Sequence, residues 1–260
     1  MNEIDEGIAR RVLEVVDAGL VAGIGEPIPG EMCVAAAVCY ALGLPHGDEP
    51  PCVAPAVRRL KIQLNDACWS SPQARARGLR RLAIAALGSA GTLDEDEFSR
   101  RVARLAIQTC VPTALRAAAQ RHTGEQWERL MHAADLCERE PTRKNALEAR
   151  AAADAAAHAT YCAAVADADA DAYYAAEAAD AAADAAEAAA YAAAYAAEAA
   201  VYAAGRAADA ASPAAYAAAY YAADAAADAH LSDFAERVVQ ILCDLGAPGC
   251  AFLHLTESAT

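Results

Sequence analysis

Between residues 151 and 230, 49 of 80 positions are alanine. Nothing else in the chain constrains its fold so strongly. Alanine has the highest helix propensity of the amino acids, so a run of this kind is helix before it is anything else. Its side chain is a single methyl, worth roughly 0.8 kcal/mol when buried. Such helices gain stability only by packing closely, with axes at the low end of the usual 8–10 Å separation. An unbroken helix from Thr142 to Ala211 would be about 105 Å long, whereas a compact domain of 260 residues has a radius of gyration of about 18 Å. The sequence therefore predicts either a protruding rod or a helix that folds back. The best break is Asp167-Ala168-Asp169-Ala170-Asp171, because aspartate is a poor helix former and a good cap. Gly205 is the second. Ser212-Pro213 starts a further helix.

One stripe interrupts the alanine. Glu177, Asp180, Asp184, Glu187, Tyr191, Tyr195, Glu198, Tyr202, Arg206 and Asp209 follow one another at steps of three or four residues. That spacing lays acids and tyrosines along one narrow face. The net charge of the chain is −15. Residues 1–144 hold 19 acidic and 18 basic side chains, and residues 145–260 hold 17 and 3. The acidic excess thus belongs to the second half. It keeps an alanine-rich bundle soluble, and its sharper reading is a surface for a basic protein partner. Glu177, Asp180, Asp184, Glu187, Tyr191, Tyr195 and Tyr202 are the candidate binding residues. The charge excludes general nucleic-acid binding, which requires basic groups to displace phosphate counterions. An ice-binding helix would carry regular threonines, and the alanine region has only Thr160.

Ahead of this region the chain reads as ordinary amphipathic helices. The first spans Ile4 to Ala22, with Ile8, Val12, Val15, Val16 and Leu20 inward. Glycines and prolines over residues 23–30 end it. Met32 to Leu42 is short and apolar, which predicts deep burial. Val53 to Asn65 follows a proline-rich loop. Ser71-Pro72 is a capping serine with a first-turn proline. Thr92 is the expected cap of the next helix, with Asp94, Glu95, Asp96 and Glu97 at its positive end. Pro112 predicts a kink or restart. Thr123 with Gln126 forms a capping-box pattern, and Trp127, Leu130, Met131 and Leu136 are the expected inward residues. Thr142 is the expected cap of the alanine region. No segment alternates with period two. The predicted fold is all-α: an amphipathic multi-helix domain over 1–140, an alanine-rich acidic bundle over 141–245, and a tail over 246–260 whose Cys250–Leu255 segment docks back onto the body in extended form.

The densest chemistry lies between Gly25 and Cys52. Cys33 sits at a predicted helix N-terminus, a position that lowers a thiol pKa. His46 and Asp48, in the following loop, can return as base and orienter. The alternative function is thus a thiol-dependent hydrolase or transferase with Cys33, His46 and Asp48 as its catalytic residues. Cys33, Cys39, His46 and Cys52 are spaced by six, seven and six, unlike the close cysteine pairs of zinc sites, and no metal or cofactor is expected. Arg75, Arg77, Arg80 and Arg81, with Arg58, Arg59 and Lys61 upstream, form a basic cluster whose simplest partner is the acidic bundle. Nine irregularly spaced cysteines behind an acidic N-terminus predict reduced thiols and a cytoplasmic location. The longest uncharged run of the alanine region, residues 210–223, is 14 residues, against about 20 for a membrane span.

The blocks Pro29-Gly30-Glu31-Met32-Cys33-Val34, Ala41-Leu42-Gly43-Leu44-Pro45-His46-Gly47-Asp48 and Leu60-Lys61-Ile62-Gln63-Leu64-Asn65-Asp66 resemble a set of bacterial proteins. These share an alanine-rich second half and an ending similar to Pro248-Gly249-Cys250. The resemblance carries no activity. In composition, the alanine bundle is similar to helical immunity domains of bacterial toxin systems, which implies neutralisation of a basic partner. The principal expectation is a non-enzymatic binding or scaffold protein working through its acidic helical surface.

Overall fold

The structure, a computed structural model, describes residues 4–120, 122–167, 170–195, 206–207, 210, 213 and 224–257. Among the described residues there are nine α-helices, one 3-10 helix and no strand, so the fold is all-α.

Local chemistry explains most boundaries. Helix α1 (Glu6–Asp17) starts where Asp5 accepts from the Ile8 N–H at 2.8 Å. It stops short of the predicted Ala22, because Gly19 turns the chain at φ +122° and the Leu20 N–H leaves for the Pro72 carbonyl at 3.2 Å. Helix α2 (Val34–Ala41) is capped by Cys33 and is buried on nearly every side. In α3 (Pro55–Asp66), Pro55 fills the first turn, where its missing N–H costs nothing. In α4 (Pro72–Ala85), the Ser71 hydroxyl accepts from the Ala74 N–H at 3.1 Å, as a capping serine should. The Trp69 ring lies directly over Gly78, where an added Cβ would be 2.3 Å from it.

Three capping and restart expectations change. Asp94, not Thr92, caps α5 (Glu95–Ala119), because the Thr92 hydroxyl is already donated to the Gly88 carbonyl at 2.9 Å. Pro112 does not restart the chain, because it lies inside the continuous helix α5. A proline removes one backbone bond, and the surrounding turns are held by the burial of Cys110, Val111, Ala114 and Leu115. Thr123 precedes α6 (Gly124–Arg139) without a side-chain cap bond, and Trp127 is 45% exposed rather than inward.

The alanine region folds back. Helix α7 (Arg143–Asp167) starts where Thr142 accepts from the Asn145 N–H at 3.2 Å, and α8 begins at Ala170 and ends at Tyr195. The expected break at the aspartate cluster is where one ends and the other starts. Arg150 near the start of α7 pairs with Glu187 near the end of α8 at 3.4 Å, so the two helices run antiparallel. They pack along their length, and α8 also packs along α5. The buried faces of the two helices are methyl surfaces, with Ala146, Ala149, Ala153, Ala178, Ala182, Ala185 and Ala189 all fully buried. Helix α9 (Asp224–Asp244) packs on α4. The tail docks on α4 as expected, but as a 3-10 helix, Pro248–Glu257, rather than in extended form. One apolar core joins Ile8 of α1 to the alanines of α7 and α8 and to Leu255. Among the described residues no helix is long and apolar enough to cross a membrane.

Candidate functional site

Two regions carry the candidate residues. The first surrounds the N-terminus of α2. Gly25 and Met32 form an isolated antiparallel bridge, and the Cys33 N–H donates to the Ile24 carbonyl at 3.2 Å. This seats Cys33 at the helix cap, where its Sγ accepts from the Ala36 N–H at 3.3 Å. Cys33 stands at the helix N-terminus as the sequence predicts, and the N–H groups there do lower its thiol pKa, but burial outweighs them. Cys33 is 4% exposed, and burial raises its pKa against the lowering pull of the Ala36 and Ala35 N–H groups. His46 is exposed, and its Nε2 is engaged by the Gly25 carbonyl at 2.9 Å. Asp48 lines an open depression of about 400 Å³ with Cys39, Leu44, Pro45, Gly47, Glu49 and Pro51. Cys33 and His46 are not in its wall. Among the described residues, Cys33 Sγ has no hydrogen bond to a side-chain base, the contact by which such a nucleophile is activated.

Behind Cys33 lies the group that sequence reasoning misplaced. Lys61 is 0% exposed, and its Nζ has no hydrogen-bond partner among the described residues. It feels the thiols of Cys52, Cys33 and Cys39, and burial pushes its pKa down to about 8. Its position was the available signal: Lys61 is four residues after Val57 and three before Leu64, on the buried face of α3. Among the described residues no three His, Cys, Asp or Glu side chains are gathered to hold a metal ion.

Of the remaining basic cluster, Arg81 meets an acid of the 141–245 segment, Arg58 and Arg80 pair with acids of the N-terminal half, and Arg59 and Arg77 are exposed. Arg58 pairs with Glu49 at 3.1 Å, Arg80 with Asp17 at 2.6 Å and Arg81 with Glu236 at 2.9 Å. Arg75 is buried and donates to the Asn65 and Leu20 carbonyls.

The second region is the α7–α8 hairpin. Helical spacing brings Glu177, Asp180, Asp184, Glu187 and Tyr191 to one side of α8, as the stripe predicts. Asp180, Asp184 and Tyr191 are exposed, Tyr191 by 41%. Asp154 of α7 adds a carboxylate across the hairpin. Arg150 is shared between Asp154 at 3.6 Å and Glu187 at 3.4 Å. The carboxyl pKa of Asp180 is raised by partial burial and by Asp154 and Glu177. That of Asp184 is raised by partial burial, Glu187 and Asp180, with Arg150 opposing. Partial burial and like charges on successive turns together outweigh Arg150 at Asp184. The Arg206 guanidinium lies 5.7 Å over the Tyr191 ring, a cation–π distance. Tyr195 closes α8, but its side chain and the whole of Tyr202 lie outside the described residues.

Comparison with family models, curated proteins and solved structures gave no match.

Proposed function

We propose that the chain is a binding protein whose working surface is the acidic ridge of α7 and α8, directed at a basic protein partner that it docks and neutralises. The observation that supports this is the gathering of Asp154, Asp180 and Asp184 around a single arginine among the described residues: the Asp180 and Asp184 pKa values are raised first by partial burial and further by the neighbouring carboxylates. A folded protein that keeps like charges together on one rigid face bears a standing electrostatic cost. A cationic surface converts that cost into complementarity. The ridge is preorganised, because its carboxylates project from helices whose neighbouring side chains are alanines with no rotamers to freeze. Tyr191 beside it supplies an amphipathic contact of the kind binding surfaces favour.

The test is fluorescence anisotropy with a labelled arginine- and lysine-rich peptide at low salt. The triple variant Asp180→Asn/Asp184→Asn/Glu187→Gln is expected to bind about ten-fold more weakly than the parent protein. A control with the same charge change at exposed acids elsewhere, Glu14→Gln/Glu26→Gln/Glu31→Gln, is expected to bind like the parent. An equal loss in both variants reduces the effect to net charge and overturns the proposal.

A further inference from the structure

The C-terminal end of α9 is a turn of defined shape. Gly246 takes a left-handed φ of +74°. Its N–H donates to the Cys243 carbonyl at 3.0 Å, and the Ala247 N–H reaches back to the Leu242 carbonyl at 2.9 Å. These are the paired bonds of a Schellman motif, which ends a helix and reverses the chain. The reversed chain enters the 3-10 helix at Pro248, and the Cys250 N–H donates to the Ala247 carbonyl at 3.1 Å. Gly249 presses so close to the end of α4 that a Cβ there would be 2.1 Å from the Ile84 carbonyl oxygen.

This path returns Cys250 to Cys243, with the two sulfurs 2.6 Å apart. Non-bonded heavy atoms settle at about 3.5–4 Å, and the sulfurs of a disulfide at about 2.05 Å. The pair lies well inside the first distance. Both residues are partly exposed, unlike the sealed Cys110 and Cys137. The segment after Cys250 is tied down independently, since Arg81 donates to the Thr256 hydroxyl at 3.1 Å and Arg80 to the Thr256 carbonyl. The approach of the thiols is therefore built into the backbone and does not depend on a mobile tail.

We infer that Cys243 and Cys250 are a disulfide-forming modification site that takes a low-molecular-weight disulfide as its oxidant. One thiolate of the pair attacks a sulfur of the small disulfide and displaces a small thiolate, which takes up a proton. The second thiol loses its proton and attacks the mixed disulfide at the protein sulfur, releasing the other half of the oxidant as a thiol. Two protein thiols are oxidised to one disulfide, and one small disulfide is reduced to two thiols. The product staples the last turn of α9 to the segment that covers α4.

Trypsin gives a direct readout, because residues 238–260 contain both cysteines and no lysine or arginine. The folded full-length protein is incubated with oxidised glutathione, blocked with iodoacetamide, digested and weighed. The expected peptide is two hydrogens lighter than the reduced form and carries neither glutathione nor alkyl group. Reduction before blocking should make it doubly alkylated. In Cys243→Ser, the remaining Cys250 should stop at a glutathione adduct. The inference is overturned if the parent peptide stays doubly alkylated, or holds glutathione without closing, while the exposed Cys68 is glutathionylated in the same sample.

Discussion

Arg75 and Asn65 form one buried junction: Arg75 Nε donates to the Asn65 carbonyl at 2.7 Å. The Arg75 fork also reaches the Leu20 carbonyl at 3.0 Å. The Asn65 amide accepts from the Val34 N–H at 3.1 Å and donates to the Val21 carbonyl at 2.8 Å. Four segments that share no secondary structure are joined by two side chains. Arg75→Met removes the donor for both carbonyls while keeping much of the apolar stem. It should destabilise the protein by about 2–4 kcal/mol, measured by urea unfolding.

Lys61 should act against stability near neutral pH. With its pKa at about 8 in the folded protein and roughly 10.4 unfolded, the unfolded chain holds the extra proton between those values. Stability contributed through Lys61 therefore rises with pH across that window and is lost as pH falls towards 8. The thiols of Cys33, Cys39 and Cys52, raised by burial, act in the opposite direction as they ionise in the unfolded chain. A Lys61→Met variant isolates the lysine. It should be more stable than the parent at pH 7, by roughly 2–3 kcal/mol, and the gain should shrink as pH rises from 8 to 10. A gain that does not change with pH would assign the effect to packing.

The acidic ridge makes a prediction independent of any partner. Asp180 and Asp184 are one helical turn apart, and a like-charge pair at that spacing costs a few tenths of a kcal/mol. Asp184→Asn should raise the thermal midpoint by about 1–2 °C at low salt. The difference should fade as salt approaches 1 M, where screening acts within about 3 Å. Differential scanning calorimetry at two salt concentrations would show it.

The alanine interface should tolerate no increase in size. Ala182 is fully buried on α8 between its packing partners. Ala182→Leu adds three carbons where there is no space. It should cost about 1–3 kcal/mol, visible as a lower urea midpoint with the helical circular dichroism of the native state retained.

The legible parts of the fold are those decided within a few residues. Ser71-Pro72 starts α4, and the aspartates at 167–171 mark the boundary between α7 and α8, because capping chemistry is local. Thr92 was misread because its hydroxyl turns back to Gly88 and Ser89, a choice made by the preceding turn. Pro112 does not restart a helix, because the packing around α5 outweighs one lost backbone bond. The stripe on α8 was readable from spacing alone, but Asp154, which faces it from α7, became visible only once the hairpin had closed. Lys61 was read as surface charge by its residue type, while its place on the apolar face of α3 pointed inward. The tail was read as extended because the Schellman turn and the close seat of Gly249 on α4 arise from the approach of two distant segments.

The methyl surface between α7 and α8 has one more property. A row of identical small side chains repeats itself every turn, so sliding one helix along the other by a turn presents nearly the same face again. Alanine supplies proximity but no address. The address must come from the few residues that break the repeat, chiefly Arg150, which meets Glu187 in only one alignment. In this hairpin the charged residues act like the notch of a key, and the alanines like its smooth blade.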